Sequence, residues 1–83
     1  MAEVKIYSKN NCPYCERAKD LLKSKGVSYE EINLEGKQAE MQALVKMTGL
    51  RTVPQIFING TLVGGFTDLA KLDQIGKLDG MLA

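Results

Sequence analysis

The chain has 83 residues, 45% of them hydrophobic, which suits one small domain with a modest core. Eleven basic residues balance ten acidic ones, so the net charge of +1 offers no electrostatic footprint for nucleic acid. No apolar stretch is long enough to span a bilayer, and residues 1–4 lack a basic region followed by an apolar one. We therefore expect a single soluble domain over residues 1–83 that stays in the cytoplasm and binds neither nucleic acid nor membrane.

The first part of the chain predicts a βαβ unit. Residues 3–8 carry apolar side chains at every second position, which is typical of a strand. Pro13 suits the first turn of a helix, and Gly26 follows as a stop signal. Residues 28–34 form the second predicted strand, which must run parallel to the first.

The middle of the chain predicts a helix and then a β-hairpin. Residues 41–48 carry apolar side chains at helical spacing, and Gly49 ends the pattern. Two apolar runs, 55–58 and 61–63, flank Asn59-Gly60, and both turn residues tolerate the positive φ that a two-residue hairpin requires. The hairpin adds antiparallel strands to the sheet.

A third helix is predicted after the hairpin. Thr67 is suited to cap it, and Leu69, Leu72 and Ile75 recur on one side. Residues 79–82 are predicted to form a final turn. Together the elements predict an α/β fold in which a mixed four-stranded sheet, built from a βαβ unit and a hairpin, is flanked by helices.

The two cysteines, Cys12 and Cys15, carry the clearest chemical signal. A disulfide between such close neighbours closes too small a loop to stabilise the fold, and a structural zinc site needs four ligands where this chain has two cysteines and no histidine. The pair follows a strand and opens a helix, where free N–H groups, with Lys9 upstream, favour a thiolate. We predict redox chemistry without a metal: Cys12, with a lowered pKa, attacks, and the more buried Cys15 resolves.

Two further segments each allow a functional and an ordinary interpretation. Thr52-Val53-Pro54 is extended, and base rates favour a trans proline that begins an edge strand. Gly64-Gly65 precedes a helix start and could admit a ligand backbone and its carboxylate, although a plain loop with a Thr67 cap is the favoured interpretation when the segment is taken alone.

Taken together, these residues resemble the glutaredoxin family, specifically its small dithiol bacterial members. The likeness covers nearly the whole chain and depends on Cys12-Pro13-Tyr14-Cys15, on residues 51–58, and on Gly64-Gly65 followed by Asp68. It implies a thioredoxin-like fold with a cis Pro54. It also implies an enzyme that reduces protein disulfides and protein–glutathione mixed disulfides, with glutathione as co-substrate and no tightly bound cofactor.

The resemblance further implies how glutathione is held. Family members bind its cysteinyl portion through the main chain of the residue matching Val53. The γ-glutamyl end lies against the residues matching Thr67 and Asp68, and the glycine carboxylate meets basic side chains, here Lys9 and Arg51. The remaining residues of the implied groove are Tyr14, Thr52, Pro54 and Gly65.

The chain departs from the commonest pattern of the family at two neighbouring positions. Many relatives have a small or polar residue at Phe66 and an acid at Thr67. Thr67 is kept as a ligand, because a hydroxyl can still accept a hydrogen bond from an ammonium group. Phe66 is either a packing residue or an apolar lip for protein substrates.

The resemblance leaves one rival function and one rival family. Two chains could share a [2Fe–2S] cluster through Cys12 and two glutathiones, but cluster-holding relatives usually have a smaller residue at Pro13 and often serine at Cys15. Brown colour in freshly purified protein would support that carrier. A thioredoxin is disfavoured by Gly64-Gly65 and the basic groove. The implied partners are glutathione, protein disulfides and glutathionylated proteins, with ribonucleotide reductase a candidate, and the expected state is a monomer.

Overall fold

The computed structural model describes residues 2–83. Within this range the strands and helices follow the order expected from the sequence. The elements are β1 Val4–Ser8, α1 Pro13–Ser24, β2 Glu30–Asn33, α2 Gln38–Thr48, β3 Gln55–Ile58, β4 Thr61–Gly64, α3 Phe66–Gln74 and α4 Leu78–Leu82. Across residues 2–83, every helix is too short or too polar to cross a membrane.

The four strands form one mixed sheet in the order β2-β1-β3-β4. β1 pairs in parallel with β2, as the α1 crossover requires, and antiparallel with β3, which joins β4 in a hairpin. Asn59 and Gly60 take positive φ values of 52° and 79°, which confirms the predicted turn. β2 is shorter than predicted and lies at an edge of the sheet, where Glu30 and Glu31 are exposed.

The hydrophobic core lies between one face of the sheet and helices α1 and α3. It forms because alternate residues of β1 and β3 point to that face while α1 and α3 each present an apolar stripe. α4 closes the core with Leu78, which is fully buried. The fully buried core side chains of the strands and of α1 and α3 are Ile6, Ala18, Leu22, Ile56 and Leu69. This packing fixes the position of α1, whose first residue directly follows Cys12.

The start of α3 differs from the sequence prediction. The cap residue is Gly65, and Thr67 lies inside the first turn, so the prediction of a Thr67 cap is wrong. The Asp68 carboxylate accepts a hydrogen bond from the Gly65 N–H at 2.9 Å and provides the side-chain half of a capping box. The predicted apolar side of α3 is also shorter than expected, because Ile75 is 55% exposed at the helix end.

A polar cluster ties β1, β2 and α1 together beneath the start of α1. The hydroxyl of Ser8, which is fully buried, donates to the Glu31 carboxylate at 2.6 Å. The Lys19 ammonium lies 3.1 Å from the same carboxylate and 2.6 Å from that of Glu16. The hydrogen bond from Ser8, followed by that from Lys19, holds the pKa of Glu31 below its ordinary value.

We expect this cluster to stabilise the folded protein at neutral pH and to lose that effect in acid. Ser8→Ala should lower the free energy of unfolding by about 1 kcal/mol at pH 7, because a hydrogen bond to a charged acceptor is lost. Glu31 has a lowered pKa in the folded state, so its contribution is complete above its ordinary pKa and disappears as the pH falls through the lowered one.

The measurement is urea unfolding of the wild-type protein and of Ser8→Ala at pH 7 and pH 3. Ser24→Ala is the control, because the Ser24 hydroxyl donates to a neutral backbone carbonyl, that of Leu21, at 2.6 Å. Its effect should not change with pH. A Ser8→Ala effect of equal size at both pH values would contradict the assignment to ionised Glu31.

Candidate active site

The two cysteines lie at the junction between β1 and α1. Cys12 is the N-cap of α1 and has an extended backbone, with Pro13 as the first helical residue. The Sγ of Cys12 accepts a hydrogen bond from the Cys15 N–H at 3.1 Å and is joined to the Cys15 sulfur in a disulfide. Cys12 therefore presents its sulfur to the free N–H groups of the helix start, where a thiolate is stabilised.

The two sulfurs have unequal access to solvent. Cys15 is fully buried in the same helix face as Ala18 and Leu22, whereas Cys12 is half-buried. This confirms the predicted asymmetry. Cys12 is therefore the more accessible cysteine, and Cys15 is shielded from solvent.

A shallow cleft of about 320 Å³ lies beside the pair, and we call it the proline cleft. The peptide bond between Val53 and Pro54 is cis, as the resemblance implied, and the Val53 carbonyl oxygen lies 3.9 Å from the Cys12 sulfur. A ligand extended along Val53 would therefore bring its own sulfur close to Cys12. The lining residues are Tyr14, Thr52, Val53, Pro54, Gly65, Phe66 and Thr67.

A second depression, of about 440 Å³, carries the positive charge of this region. Lys9 and Arg51, both predicted to meet a carboxylate, line it together, and Lys46 of α2 adds a third cation. We call it the basic depression. Its full lining is Lys9, Met41, Gln42, Val45, Lys46 and Arg51. An anionic group bound here would be attracted by three side chains from three different segments of the chain.

Asp68 differs from the other predicted groove residues. It does not line the proline cleft, and its carboxylate is already engaged by the Gly65 N–H. The adjacent Gly64 has a φ of +122°, and a Cβ atom at this position would overlap with the Asp68 carboxylate. The absence of a side chain at Gly64 thus lets Asp68 hold the wall of the cleft at Gly65.

The structure also gives Phe66 a definite place. Its ring stacks on that of Tyr14, with 6.1 Å between ring centroids and 29° between planes. The Arg17 guanidinium carbon lies 5.3 Å from the Tyr14 centroid, a cation–π distance. Tyr14 is 54% exposed, and both rings line the proline cleft. Phe66 therefore packs against Tyr14 and, together with it, forms an apolar lip of the cleft.

Sequence reasoning missed one residue that shapes the site, Gln55. Its side chain is fully buried, and its Nε2 donates to the carbonyl oxygens of Leu50 and Thr52, each at 3.0 Å. These bonds fix the loop that leads into the proline cleft. The available signal was a lone amide side chain before the apolar run 56–58, because a buried polar group needs partners.

The position of Cys12 predicts selective alkylation. In reduced protein, Cys12 should react with iodoacetamide near pH 6, where an ordinary thiol is almost entirely protonated, because the helix start stabilises its thiolate. Cys15 should stay unmodified because it is buried. Peptide mapping after a timed pulse measures both rates, and urea-unfolded protein is the control, in which the rates should converge. Equal rates in the folded protein would contradict the helix-start argument.

Comparisons with known proteins agree with this geometry. The family model described as Glutaredoxin matches residues 4–63. Glutaredoxin 3 of Escherichia coli strain K12 is 51% identical over 82 residues, which cover 99% of each chain. The glutaredoxin of Pseudomonas aeruginosa is 48% identical over 83 residues, covering 100% of this chain and 99% of that protein. Among solved structures, a buckwheat glutaredoxin–glutathione complex superposes with a TM-score of 0.91 at 36% identity, over 98% of this chain and 76% of the other.

Proposed function

Since the chain belongs to the glutaredoxin family, we propose that it is a glutathione-dependent oxidoreductase that reduces protein disulfides and protein–glutathione mixed disulfides. The family gives the coarser activity, thiol–disulfide exchange at Cys12 and Cys15. The observation that carries the finer proposal is the proximity of the Cys12 sulfur to Val53, 3.9 Å from its carbonyl oxygen, at the end of a cleft suited to an extended peptide.

We propose that glutathione binds across the proline cleft and the basic depression in the orientation that the family resemblance implies. Its cysteinyl unit would pair with the main chain of Val53 in the proline cleft, and its γ-glutamyl end would reach Thr67 and the start of α3, near Asp68. Its glycine carboxylate would lie between Lys9 and Arg51 in the basic depression. The solved buckwheat relative is a glutathione complex, which supports this choice of ligand.

The proposed reaction with a mixed disulfide has two exchange steps. The Cys12 thiolate attacks the glutathione sulfur, the bond between glutathione and the substrate breaks, and the substrate leaves as a thiolate that takes a proton from water. A second glutathione thiolate then attacks the glutathione sulfur held on Cys12. Glutathione disulfide leaves, and the Cys12 thiolate is restored at the helix start.

A protein disulfide requires both cysteines. Cys12 attacks one sulfur of the substrate and forms a mixed disulfide, and the Cys15 thiolate then displaces the substrate as a dithiol. The product is the Cys12–Cys15 disulfide present in this structure. Two glutathiones reduce it, one forming a mixed disulfide with Cys12 and the other leaving with it as glutathione disulfide.

The test is a coupled assay with glutathione, glutathione reductase, NADPH and the mixed disulfide of glutathione and 2-mercaptoethanol. The proposal expects NADPH oxidation that depends on both the protein and glutathione. If the protein reduced a protein disulfide with electrons from thioredoxin reductase and none from glutathione, its electron donor would be thioredoxin reductase and the proposal would be wrong.

We further propose that the protein acts as a monomer in the cytoplasm, where a glutathione pool would keep Cys12 and Cys15 reduced.

A further inference from the structure

The Cys12 sulfur borders a third depression, and its charge differs from that of the glutathione side. We call it the Cys12 depression; it is lined by Asn11, Cys12, Pro13 and Glu16. It shares no lining residue with the proline cleft or the basic depression. The Glu16 side chain is 66% exposed, so its carboxylate is available to a molecule that covers Cys12.

The charge around Glu16 is only partly neutralised. Lys19 is the cation paired with it, at 2.6 Å, but Lys19 is shared with Glu31 at 3.1 Å. Glu16 is the charged residue among those that line the Cys12 depression, so the depression is acidic. The basic depression instead has three cations and no carboxylate among its lining residues, so the two depressions differ in the sign of their charge.

We propose that Glu16 is a specificity-determining residue that favours protein substrates whose reacting cysteine is flanked by lysine or arginine. This inference rests on the proposed function, because it concerns the part of a disulfide substrate that glutathione does not supply. The Cys12 depression faces that part when glutathione occupies the proline cleft and the basic depression. A basic flank would be attracted by Glu16, and an acidic flank would be repelled.

Thiol chemistry makes this preference useful. Protein cysteines form thiolates most readily beside lysine and arginine, and thiolates are the form that becomes oxidised or glutathionylated. A cysteine with basic neighbours is therefore more readily converted into a disulfide substrate. The Glu16 carboxylate lies beside Cys12 and would attract the basic residues of such substrates without contacting the reacting sulfurs.

The experiment uses two glutathionylated synthetic peptides of equal length, whose cysteine is flanked by two lysines in one and by two glutamates in the other. The measured quantity is the ratio of kcat/KM for the lysine peptide to that for the glutamate peptide. Any general effect of a substitution on Cys12 cancels in this ratio. Glu16→Gln should lower the ratio about two- to fivefold, the effect of one exposed charge, and 1 M NaCl should abolish the difference.

Two further variants sharpen the test. Asp20→Asn removes an exposed acidic charge of α1 that lies outside the Cys12 depression, and it should leave the ratio unchanged. Lys19→Met removes the cation paired with Glu16 and should raise the ratio. An unchanged ratio in Glu16→Gln, or an equal fall in Asp20→Asn, would overturn the inference. Failure of the wild-type protein to turn over either peptide would instead contradict the proposed function.

Discussion

Replacing Cys12 with serine is expected to reduce turnover of both mixed disulfides and protein disulfides to the uncatalysed background. Cys12 is the cysteine whose sulfur borders solvent, since Cys15 is fully buried. A serine hydroxyl at the helix start would stay protonated, because the chain has no histidine to act as its base. No other group is placed to attack.

Replacing Cys15 with serine should separate the two reactions. Attack of Cys12 on a glutathione mixed disulfide does not involve Cys15, so this activity should persist. It should even rise, because the Cys15 thiol no longer competes with glutathione for the Cys12 sulfur. Reduction of a protein disulfide should fall about tenfold or more, because a thiol held one turn away on the same helix has a high effective concentration that free glutathione cannot match.

Both variants are assayed on both substrates, and circular dichroism confirms folding, since serine is close in size to cysteine. The Cys15→Ser protein retains its disulfide-exchange nucleophile and is therefore the matched control for Cys12→Ser. If Cys15→Ser lost mixed-disulfide activity as completely as Cys12→Ser, the division of roles between the two sulfurs would be wrong.

The second large effect is expected at Gly64. Gly64→Ala would place a methyl group against the Asp68 carboxylate, at a φ of +122° that alanine rarely adopts. Backbone strain together with the lost bond to Gly65 should lower the free energy of unfolding by about 2–4 kcal/mol. The displaced wall of the proline cleft should raise KM for the glutathione mixed disulfide by about tenfold.

Gly60→Ala is the matched control for this prediction. Gly60 has a φ of +79° at the hairpin tip, and a Cβ atom there would meet nothing within 4 Å. It should cost about 1–2 kcal/mol of stability through backbone strain alone and leave KM unchanged. Urea unfolding and steady-state kinetics measure both variants. Equal stability and equal KM in the two proteins would show that the contact between Gly64 and Asp68 has no role.

Local patterns predicted most of the fold. The alternation in residues 3–8, the Pro13 and Gly26 signals and the Asn59-Gly60 turn depend on near neighbours, and the structure confirms the elements that they predicted. The parallel pairing of β1 with β2 and the antiparallel hairpin were predicted as well, whereas the strand order β2-β1-β3-β4 was not.

Two further features did not follow from local propensities and base rates. Gly65 caps α3 because the Asp68 side chain reaches back to it, whereas a propensity argument chose Thr67, which has the better capping side chain. The cis bond before Pro54 came from the family resemblance alone, since base rates favour trans.

The same distinction holds for the candidate site: its local features were predicted, and some of its contacts between residues far apart in the chain were not. The spacing of Cys12 and Cys15 and the helix after them are local features, and they predicted that Cys15 is the more buried cysteine. The stacking of Phe66 on Tyr14 joins residues 52 positions apart and cannot be inferred from local sequence. The surroundings of Glu16 likewise involve β2, because Lys19 pairs with both Glu16 and Glu31.

The edge position of β2 has a consequence for self-association. A free strand edge can pair with the same edge of another molecule, and exposed charges discourage this. Here two molecules approaching through β2 would set Glu30 and Glu31 of one against the same carboxylates of the other. At neutral pH these charges repel, so the sheet should end at four strands; in a variant without them, the edge would become a template on which further strands could add and aggregates could grow.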